Sequence, residues 1–187
     1  MSHIYRPMRA GDYTLTSGFA PRWGSFHYGQ DFGSTPGKPI YAAADGGVVL
    51  AGPASGFGCW IVIDHQAEHD VDTVYGHMFP QDILVSIGQT LRAGDLIARV
   101  GYNGGVVPNG PAGAHLHFET WSAPGRLGGS AFDPMPWLDE HGALEPGGPP
   151  PAPAEPEFLH LLDYSGRAAV LAGFEQLLPF PPSGAAS

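Results

Sequence analysis

The run Ala114-His115-Leu116-His117-Phe118 alternates imidazole and apolar side chains. A period of two is the period of a β-strand, so both imidazoles would lie on one face and Leu116 on the other. Two imidazoles held side by side on a strand suit a metal ligand and a neighbour that handles protons. Because paired histidines on a strand are more often structural, the pair indicates a site only if other segments contribute ligands.

Two upstream segments contain suitable side chains. His27 is followed four residues later by Asp31, which an extended chain carries on the same side. His77 ends a strand-like run over residues 71–77. Each of these residues alone has a structural explanation. Together they offer three metal ligands and two further imidazoles, which is the set that a hydrolytic zinc site requires.

Such a set is suited to hydrolysis. Two imidazoles and one carboxylate leave a fourth position on tetrahedral Zn²⁺ open for water. The metal lowers the pKa of that water from 15.7 to roughly 7. The two remaining histidines can act as a general base and as a stabiliser of the oxyanion. The sequence therefore predicts one catalytic Zn²⁺ ion.

The rest of the chain has the pattern of an all-β domain. Its 28 glycines and 20 prolines suit many short strands joined by tight turns. Strand-like runs occupy residues 13–19, 39–44, 47–51, 59–64, 71–77, 83–87, 91–100 and 115–121. We expect a compact antiparallel sheet.

Several local features have specific expected structures. The runs 39–44 and 47–51 should pair as a hairpin around Asp45-Gly46. Residues 133–138 should form a closing turn, and the glycine-rich residues 101–113 a loop. Residues 65–70 should form a solvated polar turn, so His65 and His69 are not expected to bind metal.

Composition excludes some classes of partner. The net charge of −10 and only eight Lys and Arg residues argue against nucleic acid, because no basic stripe is present. No stretch approaches the length of a membrane span. The first residues contain no apolar segment typical of a secretion signal. Cys59, the single cysteine, adjoins an apolar run and is expected to be buried and inert.

The chain divides into four predicted parts. Residues 1–12 form an N-terminal arm, 13–143 the domain that carries the predicted zinc site, and 144–157 a linker rich in Pro, Gly and Ala. Residues 158–187 form a short tail. Apolar spacing within residues 167–178 is helix-like, which fits either a docked helix or an appendage that binds the cell wall or a partner.

The motifs together resemble a known family. In order, His27-x-x-x-Asp31, Tyr75-Gly76-His77 and His115-Leu116-His117-Phe118-Glu119 are similar to motifs of the lysostaphin-type zinc endopeptidases of bacterial cell walls. The agreement covers residues 13–138. It extends to Ser17-Gly18-Phe19, residues 39–49, 62–65 and 85–95, and Asp133-Pro134.

The resemblance assigns roles by position. It implies that His27, Asp31 and His117 bind zinc, that His115 is the general base, and that His77 binds or stabilises the scissile carbonyl oxygen. It implies a small β domain with a groove above its antiparallel sheet, and peptidoglycan peptides as substrate. The loop over residues 101–113 looks longer than is common in the family.

Several functional alternatives stay open at this stage. Some family members have lost ligands and activate other wall hydrolases, whereas this chain retains all five residues. A phage endolysin released from the host cytoplasm through a holin is the leading expectation. A virion-associated lysin or a bacterial wall-remodelling enzyme is the alternative. The sequence leaves open whether a Gly–Gly or a D-Ala–diaminopimelate bond is cut, and we expect a monomer.

Overall fold

An antiparallel sheet of eight strands forms the floor of the domain, in a computed structural model that describes residues 3–22 and 24–147. Its order is β1-β4-β11-β8-β7-β6-β9, and β12 pairs with β11. The strands are β1 (Tyr13–Leu15), β4 (Gln30–Ser34), β6 (Gly46–Ala54), β7 (Gly58–Asp64), β8 (Val71–Gly76), β9 (Thr90–Leu91), β11 (His115–Ser122) and β12 (Ala131–Phe132). The prediction of an all-β domain with a compact antiparallel sheet is confirmed.

Two smaller sheets and two short helices complete the described part. β2 (Ala20–Arg22) pairs with β3 (Ser25–His27), and β5 (Pro39–Tyr41) pairs with β10 (Leu96–Arg99). The helices are α1 (Gln66–His69) and α2 (Pro134–Glu140). None of the helices in the described ranges is long and apolar enough to cross a membrane.

Alternation along β11 separates the core from the opposite face, as the sequence predicts. Leu116 and Phe118 are fully buried in the apolar core. They pack with Phe32 of β4 and Tyr75 of β8. The intervening residues His115 and His117 therefore lie on the other side of the sheet.

The expected hairpin around Asp45-Gly46 is wrong. β5 pairs with β10, whereas β6 pairs with β7 and β9. The reason is that Ala42, Ala43 and Ala44 are fully buried. These small side chains let the chain pass through the core from one sheet to the other, so it does not turn back on itself.

The expected closing turn at residues 133–138 is also wrong, because it begins helix α2. The Asp133 carboxylate accepts a hydrogen bond from the Met135 backbone N–H at 3.0 Å, and Pro134 occupies the first helical position. Both are start signals of a helix. Trp137 and Leu138 bury the inner face of this helix.

The polar turn at residues 65–70 contains helix α1, and His65 is buried rather than solvated. Its ring nitrogens lie 2.7 Å from the Asp45 carbonyl oxygen and 2.8 Å from the Thr73 hydroxyl. The Tyr75 hydroxyl lies 3.1 Å from that of Thr73 and accepts the Ala43 N–H at 2.9 Å. His65 therefore belongs to a buried polar network that joins the two sheets.

The four-part division of the chain stays a prediction. Ile4 and Met8 of the predicted N-terminal arm are buried in the core, and Tyr5 N–H donates to the Ala43 carbonyl at 2.7 Å. Cys59 is buried, as expected. Most of the predicted linker and the whole tail, with its helix-like residues 167–178, lie outside the described residues.

The buried His65 predicts a pH dependence of stability. Burial lowers the pKa of His65 below its ordinary value of 6.5. The unfolded chain therefore takes up a proton at a higher pH than the folded protein, so the free energy of unfolding falls as the pH drops below about 6.5. Replacing His65→Gln should make this fall shallower, measured by urea unfolding of metal-free protein from pH 7.5 to 5.

The matched control is His3→Gln, which changes an exposed histidine and should keep the wild-type pH slope. An H65Q protein with the wild-type slope would contradict this interpretation of the buried network.

Candidate metal centre

Strand pairing brings the candidate ligands together. His117 on β11 lies directly opposite Asp31 on β4 in the antiparallel register. His27 ends β3, and Gly29 lies between it and Asp31. A side chain at Gly29 would lie 2.3 Å from the Phe118 carbonyl oxygen, so only glycine lets this segment approach β11 closely enough.

Three donor atoms converge at this point. The distances are 3.1 Å from His27 Nε2 to Asp31 Oδ1, 2.9 Å from His117 Nδ1 to Asp31 Oδ1, and 2.9 Å from His27 Nε2 to His117 Nδ1. Among the residues that the structure describes, this is the one group of three such side chains close enough to hold a metal ion. All three residues are buried.

The hydrogen bonds behind the two imidazoles fix their tautomers. His27 Nδ1–H donates to the Gly18 carbonyl at 2.8 Å, and His117 Nε2–H donates to the Glu119 carboxylate at 3.0 Å. Each neutral ring therefore directs an unprotonated nitrogen at the shared point. When both rings are neutral, three lone pairs, one of them on an anionic carboxylate, meet there, and a metal ion or a proton would stabilise this arrangement.

The donor set fits Zn²⁺. A tetrahedral ion with bonds of 2.0–2.1 Å separates its ligand atoms by about 3.3 Å, so the observed 2.9–3.1 Å needs only slight expansion. Two imidazoles and one carboxylate also match the composition of catalytic zinc sites, which keep one position open. The predicted ligands His27, Asp31 and His117 are thus brought together.

Electrostatics at the centre favour positive charge. Burial raises the pKa of Asp31, but hydrogen bonds from His117 and His27 outweigh it and hold that pKa well below its usual range. Burial lowers the pKa of His117, but its contacts with Asp31 and Glu119 outweigh burial and raise it to about 8. Without a metal ion, a proton on His117 would supply part of the positive charge that the ion provides.

A second layer of contacts holds His117 through Glu119. This carboxylate is only 2% exposed. Its Oε2 accepts the Trp121 indole N–H at 2.6 Å and lies 3.3 Å from Arg126 Nε. The Arg126 guanidinium in turn lies over the Trp121 ring, 4.3 Å from its centroid. Sequence reasoning included Glu119 in a motif but missed its role.

Arg22 is a second residue that sequence reasoning missed. Its Nη2 lies 3.1 Å from Asp31 Oδ2, the carboxylate oxygen that faces away from the shared point. The same nitrogen contacts the Ser17 hydroxyl. Arg22 ends strand β2, which the sequence pattern did not identify as a strand.

His77 and His115 lie side by side next to the ligands. Their ring centroids are 4.5 Å apart, and His115 Nε2 is 3.6 Å from Asp31 Oδ1. His77 Nδ1–H donates to the Asn103 carbonyl at 2.8 Å, and His115 Nδ1–H to the Gly113 carbonyl at 2.7 Å. Both neutral rings therefore present an unprotonated Nε2 to the groove.

His77 has two further signs of a functional residue. Its backbone adopts a left-handed conformation with φ of 75°, which is costly for a side chain other than glycine and is common at active sites. Burial and the nearby His115 lower its pKa to about 4. His77 is therefore neutral near pH 7.

The five residues open onto a groove of about 840 Å³. Aromatic side chains of Phe26, Tyr28 and Phe57 contribute to its walls. The glycine-rich loop expected over residues 101–113 contributes Gly105 and Val107. This volume lies within the roughly 300–1,000 Å³ that is usual for ligand-binding pockets.

The contact between Glu119 and His117 predicts an effect on zinc affinity. Replacing Glu119→Gln removes the negative charge that orients His117 and makes it more basic. Loss of such a partner weakens metal binding by about 10–100-fold. The dissociation constant for zinc can be measured by competition with a chromogenic chelator.

The matched control is Glu145→Gln, because the exposed Glu145 accepts a backbone N–H from Ala10, distant in sequence from the metal ligands. Equal zinc affinities of the E119Q and E145Q proteins would contradict the role assigned to Glu119.

Comparison with known proteins agrees with this geometry. The chain is 37% identical over 110 residues to the murein hydrolase activator EnvC of Escherichia coli, covering 59% of this chain and 23% of EnvC. A zinc containing peptidase from Vibrio cholerae superposes with a TM-score of 0.61 at 29% identity, covering 72% of this chain and 40% of that one.

The catalytic domain of lysostaphin from Staphylococcus simulans superposes with a TM-score of 0.58 at 29% identity, covering 68% of this chain and 92% of that domain. The profile of peptidase family M23 matches residues 25–134, which is more than half of the chain and includes all five candidate residues. The chain belongs to peptidase family M23, the family of lysostaphin-like peptidases.

Proposed function

We propose that this protein is a zinc-dependent endopeptidase that hydrolyses peptide bonds in peptidoglycan. The convergence of three unprotonated donor atoms within 3.1 Å carries the proposal. It occurs at the floor of a groove, beside two further imidazoles with unprotonated Nε2 atoms. This arrangement can bind a metal, hold a peptide and accept a proton.

The residues of the chain divide the work of hydrolysis. His27, Asp31 and His117 would hold Zn²⁺, which supplies a Lewis acid that makes water nucleophilic near neutral pH. His115 Nε2, adjacent to the ligand oxygen of Asp31, is placed to take the proton of the attacking water. The Gly113 carbonyl holds the opposite ring nitrogen and keeps this acceptor aimed at the groove.

The role of His77 depends on its protonation state. As a neutral ring it offers a lone pair at Nε2, because Nδ1–H is bound to the Asn103 carbonyl. It can donate a hydrogen bond to a developing oxyanion only after Nε2 gains a proton. Because the pKa of His77 is lowered to about 4, the proton taken from water would reside on His115 until the leaving amine receives it. The separate assignments of base and stabiliser stay predictions.

A non-catalytic activator is the second candidate. The similar protein EnvC is named as a murein hydrolase activator, and this chain spans less than a quarter of its length. An activator has no need of a complete ligand set backed by fixed tautomers. The retention of all five side chains in bonded geometry supports catalysis instead.

The cellular role is proposed separately from the chemistry. We propose that the protein is a phage endolysin, a lytic enzyme that reaches the cell wall from the cytoplasm of the host bacterium. A bacterial wall-remodelling enzyme and a virion-associated lysin are the alternatives. We also propose that the enzyme is a monomer. Co-expression with a holin in a susceptible bacterium should cause lysis, whereas expression of either protein alone should not.

Two histidine variants separate metal binding from proton transfer. His117→Ala should lose zinc and activity together, because a ligand is removed. His115→Ala should keep zinc while kcat falls by about 10²–10⁴, the usual contribution of a general base. Zinc content is measured by mass spectrometry, and activity by new amino groups released from purified cell walls with and without a chelator.

The reverse result, in which H115A loses zinc and H117A retains it, would show that the two roles are exchanged. Zinc-loaded wild-type protein that releases no peptides from any wall type would contradict the enzyme proposal.

A further inference from the structure

We infer that Arg22 is a specificity-determining residue that binds a free carboxylate of the substrate next to the scissile bond. The inference rests on the proposed endopeptidase function and deepens it. Arg22 would favour cross-links of the D-Ala–diaminopimelate type over glycine bridges. Three features of Arg22 support this role: its position, its unused hydrogen-bond donors and the charges around the groove.

Arg22 has a distinct position in the groove. Among the described residues that line the groove, it is the one with a permanently cationic side chain. The side chain is 37% exposed, so it is accessible to a ligand. Arg22 contacts Asp31 Oδ2, and the other oxygen of the same carboxylate faces His27 and His117. A group bound by Arg22 would therefore lie close to the bond that is cut.

The guanidinium has donors to spare. A guanidinium offers five N–H donors in a planar fork. Within the described part of the chain, all hydrogen bonds of Arg22 come from Nη2, to Asp31 and Ser17. Nη1 and Nε keep three N–H groups, each of which can donate a single charge-assisted hydrogen bond to a carboxylate.

The charges around the groove favour an anionic group there. Glu119 also lines the groove, but it is 2% exposed and lies 3.3 Å from Arg126. A bound divalent ion overcompensates the carboxylate of Asp31, which leaves the charge of Arg22 unbalanced. The chain as a whole carries −10, so a groove that holds Arg22 and a divalent ion would be a local exception. Lys38, near the adjoining depression, is paired with Asp12 at 2.6 Å.

The two candidate substrates differ in the group that Arg22 would meet. In a D-Ala–diaminopimelate cross-link, the carbon attached to the scissile nitrogen carries a free carboxylate. In a glycine bridge, the same carbon carries the carbonyl of the next peptide bond. A cation beside the metal centre thus distinguishes the two links by charge.

The test measures binding of two matched peptides to the full-length, zinc-loaded His115→Ala protein, which should hydrolyse them slowly. One peptide contains the D-Ala–diaminopimelate link, and the other is identical except that the adjacent carboxylate is amidated. We expect the carboxylate form to bind about 10–100-fold more tightly, the usual effect of a charge-assisted hydrogen bond. Adding Arg22→Gln should reduce this ratio to about one, and Arg22→Lys should restore part of it.

The ratio of the two affinities is insensitive to any general damage to the metal centre, which would weaken both peptides alike. The matched control is Arg126→Gln, which changes an arginine that contacts Glu119 but does not line the groove. It should keep the preference for the carboxylate form.

Three results would overturn the inference. They are equal binding of both peptides by the H115A protein, an unchanged ratio after R22Q, and wild-type cleavage of glycine bridges without cleavage of the carboxylate cross-link. If wild-type protein cleaves neither link, the proposed function itself fails. Zinc content and circular dichroism of each variant confirm that the folded, loaded protein is compared.

Discussion

The candidate site depends on one unfavourable interaction, the electrostatic repulsion among three lone pairs that point at the same buried position. Antiparallel pairing of β4 with β11 sets Asp31 opposite His117, and the close approach at Gly29 brings His27 to the same place. Hydrogen bonds to Gly18 and Glu119 hold a ring proton on the far nitrogen of each imidazole, so in the neutral rings three lone pairs face one another. A cation relieves this repulsion: either a proton on His117, whose pKa is raised to about 8, or a metal ion, which these three residues are suited to hold.

The surroundings convert a metal-binding point into a reaction site. Main-chain carbonyls of Asn103 and Gly113 impose the same tautomer on His77 and His115, so two proton acceptors face the groove. Arg126 balances the buried charge of Glu119, whereas Arg22 adds positive charge where substrate enters. With a divalent ion bound, the groove would carry positive charge within an acidic protein. We propose that this local charge, rather than the net charge of the chain, determines which substrate is bound.

The sequence predicts the residues of the candidate site better than it predicts the course of the chain between them. Alternation at His115, Leu116 and His117 predicts a strand with both imidazoles on one face, and the structure confirms it. The Asp133-Pro134 pair begins helix α2, whereas the sequence pattern predicts a turn there. Burial of His65 and the missing hairpin at Asp45 arise from packing between distant segments, which no local pattern encodes. Main-chain carbonyls such as that of Gly18, which accepts the His27 ring N–H, cannot be predicted from the identity of a side chain.

X-ray absorption at the zinc edge of the fully loaded wild-type protein tests the central claim most directly. We expect one zinc per chain with two imidazole nitrogens and one carboxylate oxygen at about 2.0–2.2 Å, and a fourth, exchangeable oxygen ligand. The His115→Ala protein should give the same spectrum, whereas the His117→Ala protein should hold no zinc. Four protein ligands, or loss of an imidazole ligand in the His115→Ala protein, would contradict the assignment of His27, Asp31 and His117 as the zinc ligands.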